Sequence, residues 1–131
     1  MIIQLLKSKI QELVVSESST AFPGSISLPE EIMKEAGIRQ FELVHVNNKT
    51  NGNRITTYAV RSQHQGFVSV NGAAAKLFNE GDQIHVLSYA QFSEAEAELF
   101  RPTLVLASKN NRLVASQPYF FEETPDEQSH L

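Results

Sequence analysis

No cysteine occurs in the 131 residues, which excludes disulfide frameworks, thiolate nucleophiles and cysteine-based metal sites. No apolar run approaches the ~20 residues that span a bilayer. The opening MIIQLLKSKIQELVV places Lys7 and Lys9 inside its apolar stretch and has no small-residue cleavage site, so no secretory signal is expected. A basic surplus is missing as well. Four of the 15 acids, Glu122, Glu123, Asp126 and Glu127, lie in 121–131, which has no Lys or Arg. The body is left with 11 acids against 11 bases, unlike the basic footprint of a nucleic-acid binder. These absences predict a soluble cytoplasmic protein with no membrane and no nucleic-acid partner. The length suits one domain, expected over 1–115, with 116–131 an acidic, solvated and disordered tail.

Familiar catalytic signatures are absent too: there is no GxGxxG, no Walker loop and no GxSxG elbow. His45, His64, His85 and His130 show no metal-ligand spacing, and no carboxylate pair stands out for acid–base work. No metal is expected.

What is present reads mainly as β-structure. Residues 1–15 are ambiguous: apolar positions 2, 3, 6, 10, 13 and 14 fit a helical face, while MII and LVV are β-prone. Residues 16–25 (SESSTAFPGS) form a loop, and Ile26-Ser27-Leu28 a short strand. Pro29-Glu30-Glu31 opens a helix that runs to about Ala36, with Gly37 past its end. FELVHV at 41–46 and RITTYAV at 54–60 read as strands around NNKTNGN, whose Asn51-Gly52 suits a tight type I′ turn. FVSV at 67–70 leads through Asn71-Gly72-Ala73-Ala74-Ala75 into a brief helix before Gly81. DQIHVLSY at 82–89 and TLVLA at 103–107 are further strands, with a helical turn SEAEAEL between them. Several short strands with short helices at their ends predict a small β-barrel with helical insertions.

Lys9, Gly24-Ser25, Arg54, Thr57-Tyr58 and Asn71-Gly72-Ala73-Ala74 are each unremarkable alone. Together, Gly24-Ser25, TNGNRITTYAV at 50–60, VSVNGAAA at 68–75 and EGDQIHVLSYA at 80–90 resemble the pyruvoyl-dependent aspartate 1-decarboxylases, from Met1 to about Leu106. That resemblance implies a double-psi β-barrel, a homotetramer with active sites between subunits, and a proenzyme. The proenzyme would cut itself between Gly24 and Ser25 into chains 1–24 and 25–131, leaving a pyruvoyl group derived from Ser25 as the covalent cofactor, with no metal and no pyridoxal phosphate. Serine supplies an attacking hydroxyl and a removable α-proton, and glycine tolerates a strained backbone.

By the same resemblance, Thr57 supports cleavage and also lies at the substrate site, and the L-aspartate amine forms a Schiff base with the pyruvoyl group. Tyr58 returns the proton after carbon dioxide leaves. Lys9 and Arg54 hold substrate carboxylate, and Asn71, Gly72, Ala73 and Ala74 line the pocket. The product is β-alanine, for pantothenate biosynthesis.

Four positions depart from that pattern. Phe22 stands where a tyrosine is frequent, Pro23 precedes Gly24, Gln11 replaces a common histidine, and Asn47 lies where some members carry tryptophan. They bear on whether cleavage needs a maturation factor and leave Ser25, Thr57, Tyr58 and Arg54 in place. Three other readings compete. One is the same fold acting on another acidic or diamino acid. A second is a non-cleaving pseudoenzyme, suggested by Phe22 and Pro23. In the third, GSISLPEEIMKEAGI at 24–38 resembles the swapped-hairpin DNA-binding regulators, against which the neutral body and acidic tail weigh.

Overall fold

A computed structural model describes residues 1–21 and 24–119. Nine strands and two short α-helices follow in the order β1 (Ile2–Val14), β2 (Glu17–Ser19), β3 (Ser25–Leu28), α1 (Glu30–Ala36), β4 (Leu43–Asn48), β5 (Arg54–Arg61), β6 (Ser69–Asn71), β7 (Gln83–Ser93), α2 (Glu94–Leu99), β8 (Thr103–Ala107) and β9 (Leu113–Pro118), with a 3₁₀ turn at Ala73–Leu77 before β7. The strands hydrogen-bond in the order β2-β6-β3-β5-β4-β7-β1-β8-β9. Three pairs, β1/β8, β2/β6 and β3/β5, are parallel, so the chain crosses over between them rather than turning back by hairpins. The expected mainly β barrel with helical insertions is what the chain forms. Among the described residues no helix is long and apolar enough to cross a membrane.

The ambiguous N-terminus is a strand, and its helix-like spacing has a physical cause. Register shifts interrupt β1 between Leu6 and Ser8 and between Ile10 and Leu13, and Glu12 takes φ 71° within the second. Each bulge inserts an extra residue and resets which side faces inward. Ile10, Leu13 and Val15 therefore all reach the core, although their spacing of three and two mixes the helical and strand periods.

One apolar cluster fills the interior, joining Ile10 and Leu13 of β1, Ile26 and Leu28 of β3, Val44 and Val46 of β4, Ile84 and Val86 of β7 and Val105 of β8. Each such side chain, fully buried, contributes about 1.5–3 kcal/mol. The hydroxyls of Ser8 and Ser88 meet 2.5 Å apart inside this core, which satisfies two polar groups that would otherwise be costly to bury. Helix α1 starts after Pro29 (φ −58°), with Glu30 and Glu31 in its first turn, where acids suit the helix dipole. Gly37 closes it at φ 68°, and the Ile38 N–H reaches back to the Met33 carbonyl at 2.9 Å.

Two expectations need correction. The β4–β5 hairpin is not a two-residue type I′ turn, because only Gly52 in the loop has positive φ. Asn48 instead organises a longer loop: its Oδ1 accepts from the N–H of Thr50 and Asn51, and its Nδ2 donates to Asp82. The folded part also extends past residue 115. Strand β9 pairs with β8 as far as Pro118 opposite Thr103, so 116–118 belong to the sheet. The acidic stretch expected to be a disordered tail otherwise lies outside the described residues from 120 onward.

Candidate active site

Ser25 opens β3 and pairs with Asn71 of β6 on one side. On the other side β3 runs parallel to β5, with Ile26 opposite Ala59, which brings Ser25 beside Tyr58. Alternation along β5 sends Ala59 into the core and Tyr58 to the outer face. Gly24, Ser25, Tyr58 and Asn71 therefore line one cavity of about 550 Å³.

Within it Ser25 is only 6% exposed. Asn71 Nδ2 donates to Ser25 Oγ at 3.1 Å and to Ser27 Oγ at 3.3 Å, so the amide fixes the position of the Ser25 oxygen. A side chain placed at Gly24 would meet no described atom within 4 Å, leaving the peptide before Ser25 open on that side. Phe22 and Pro23, the departures singled out from the sequence, lie outside the described residues.

The remaining candidates are distributed differently. Gly72 takes φ 81°, ψ −158°, a conformation essentially reserved for glycine. Its N–H donates to the Ser19 carbonyl at 2.8 Å; Ala73 and Ala74 begin the 3₁₀ turn that follows. These three residues stand next to Asn71 without lining the Ser25 cavity. Thr57 pairs with Val44 and lines a separate shallow depression with Phe41, Leu43, Thr56 and Tyr58.

Lys9 and Arg54 occupy another region altogether. Arg54 precedes Tyr58 by four residues on β5, about 13 Å along an extended strand. It turns toward β4 and β7, where its Nη2 meets His45 Nδ1 at 2.5 Å and Tyr89 Oη at 3.4 Å. Lys9, on β1, sits with its ammonium 5.8 Å from the centre of the Tyr119 ring. The rung Lys9–Leu87–His45–Thr56 and the neighbouring rung His85–Asn47–Arg54 place these residues on one outer face. Asn47 Oδ1 and His85 Nε2 are buried there without a hydrogen-bond partner among the described residues. The His85 pKa is lowered, first by burial and then by the charges of Lys9 and Lys49.

Sequence reasoning missed part of the Ser25 cavity. Its far wall includes Gln40, Phe41, Arg61 and His64. Phe41 adopts φ 70°, a strained value for an aromatic residue, and is 69% exposed with its ring 6.1 Å from Tyr58. Nothing in FELVHV signals this, because an apolar residue before an alternating run reads as the start of the strand. Here the Phe41 N–H bonds the Ala59 carbonyl at 2.7 Å, and β4 begins two residues later.

A family model described as aspartate decarboxylase matches residues 1–114. The chain is similar to a curated aspartate 1-decarboxylase of Campylobacter jejuni, 44% identical over 109 residues, covering 83% of this chain and 86% of the relative. It is also similar to an aspartate 1-decarboxylase of Xylella fastidiosa, 45% identical over 112 residues, covering 85% and 89%.

Proposed function

The chain belongs to the aspartate decarboxylase family, and from that premise we propose that it cuts its own backbone between Gly24 and Ser25 and then converts L-aspartate to β-alanine and carbon dioxide. The observation that carries this reading is the convergence of Gly24, Ser25, Tyr58 and Asn71 on one cavity, with the Ser25 oxygen held by Asn71.

Cleavage follows from that placement. The Ser25 hydroxyl adds to the Gly24 carbonyl carbon, the C–N bond breaks, and the hydroxyl proton passes to the freed nitrogen. Loss of the Ser25 α-proton then expels the Gly24 carboxylate, and hydrolysis of the resulting dehydroalanine releases ammonia. The open space beside Gly24 and the near-complete burial of Ser25 fit a pyruvoyl group at the new N-terminus. Such a carbonyl supplies a sink for the electron pair released as the α-carboxylate leaves.

The residues of this chain do the rest. Tyr58, in the same cavity, is positioned to give a proton to the α-carbon. Asn71 orients groups around position 25, and Thr57 follows it as a support for cleavage and a contact for the substrate. Gly72, Ala73 and Ala74, next to Asn71 but outside the Ser25 cavity, are read as backbone donors to the substrate. Arg54 and Lys9 offer guanidinium N–H donors and a point charge to substrate carboxylate.

Arg54 and Lys9 do not line the cavity that holds Ser25 and Tyr58 in the same copy. The carboxylate-binding face of one copy therefore completes the Ser25 cavity of another, as a homotetramer with active sites between subunits requires. β-Alanine as product fits a role in pantothenate biosynthesis, which we assign to the cytoplasm.

Intact mass spectrometry of the purified protein tests the cleavage. A 24-residue fragment and an N-terminally blocked fragment of residues 25–131 are expected. A single uncleaved mass after prolonged incubation overturns the self-processing assignment.

A further inference from the structure

We infer that His45 and Tyr89 are positioning residues that hold the Arg54 guanidinium in its carboxylate-receiving orientation. The inference rests on the reading of Arg54 given above. Strand β4 runs between β5 and β7, and His45 lies opposite Thr56 on one side and Leu87 on the other. Arg54 and Tyr89 are each two residues along from those partners, at diagonal positions within reach of long side chains. The contacts bear this out. Arg54 Nη2 lies 2.5 Å from His45 Nδ1 and 3.4 Å from Tyr89 Oη, and the rings of His45 and Tyr89 are 4.9 Å apart.

The direction of the short contact is fixed by chemistry. A guanidinium only donates, so His45 Nδ1 must be the bare, accepting nitrogen and the ring proton sits on Nε2. Tyr89 packs against the ring and holds its plane. Both contacts use Nη2, so the Nη1 and Nε N–H groups, on different edges of the guanidinium, remain as single donors to substrate. Arg54 is otherwise exposed on its strand, and an unheld arginine loses rotamer freedom each time it binds a ligand. Fixing it beforehand reduces that loss and tightens binding without touching the reacting atoms. The expected signature is therefore in KM.

The test measures steady-state decarboxylation of L-aspartate by matured wild type and variants, with ¹⁵N NMR of the wild-type histidines. His45→Phe is expected to raise KM about tenfold with kcat nearly unchanged. His45→Asn, whose Oδ1 restores an acceptor close to the Nδ1 position, is expected to recover most of the loss. The His45 spectrum should show a bare Nδ1 and a protonated Nε2. An unchanged KM in His45→Phe, failure of His45→Asn to recover, or a proton on Nδ1 each overturns the inference. Arg54→Gln separates the two readings. If it leaves KM unchanged, Arg54 does not hold substrate and the inference falls with it. If it raises KM while His45→Phe does not, the inference alone falls.

Discussion

Ser25 and Arg54 belong to one continuous sheet yet sit in contrasting surroundings. Ser25 is nearly buried, framed by backbone pairing to β5 and β6, with its hydroxyl bonded by the neutral amide of Asn71. The Arg54 side chain is exposed, carries full charge, and is steered by two ring side chains on neighbouring strands. Bond cleavage needs atoms held to a fraction of an ångström, and only main-chain pairing with short side chains gives that rigidity. Capture of a small dicarboxylate needs charge that stays hydrated until the ligand arrives, so long side chains on an outer face suit it. Arg54 and Lys9 line no part of the Ser25 cavity of their own copy, and the proposed chemistry calls on a second copy to bring them together.

The sharpest way to break this contrast is to remove the reacting oxygen. Ser25→Ala should show no cleavage by intact mass spectrometry and no decarboxylation above background; a cleaved, active variant would move the reaction elsewhere. Tyr58→Phe comes next. It should mature fully, while kcat falls by about 10²–10⁴-fold as expected for loss of a positioned proton donor. Near-normal turnover would free Tyr58 from that role.

Mixing tests the division between copies. Ser25→Ala and Arg54→Gln chains, each nearly inactive alone, should regain a fraction of wild-type activity when co-expressed, because Arg54 of one copy can serve Ser25 of the other. Purified mixed oligomers with no more activity than the separate variants would mean that both groups act within one chain.

The smallest expected effect concerns stability on the Arg54 face. Burial and nearby lysines lower the His85 pKa in the folded chain, so the unfolded state takes up this proton more readily. Stability contributed by neutral His85 is present above the ordinary histidine pKa of ~6.5 and is lost as pH falls below it. His85→Gln should therefore show a smaller drop in Tm between pH 7.5 and pH 5, and an identical drop would assign the acid sensitivity to other groups.

Legibility differed by element. Helix α1 could be read closely, since Pro29, the two glutamates and Gly37 act through local backbone geometry. The helical turn after residue 93 was similarly visible, and Ser93 and Glu96 form a reciprocal cap there. Strand β1 was not, because bulges scramble its period and their positions depend on the partners β7 and β8. Strand β9 gave no clear signal: LVASQP is short and mostly exposed and gains its order by pairing with β8. The Asn51-Gly52 signal located a turn but misjudged its type, since Asn48 is drawn into a distant bond with Asp82.

For the site, sequence by itself determined which chemistry the chain can attempt: a hydroxyl following a glycine, a phenol, an amide and two cations, with no thiol in the chain. These are properties of residue types and survive any fold. Tertiary structure alone decided their grouping. The parallel register of β3 on β5 sets Tyr58 beside Ser25, and the antiparallel register of β6 adds Asn71. The order β5-β4-β7-β1 gathers His45, Tyr89 and Lys9 on the outer side where Arg54 stands. Register and strand order are set by which apolar side chains can share one core, and that agreement among distant residues has no local mark in the sequence.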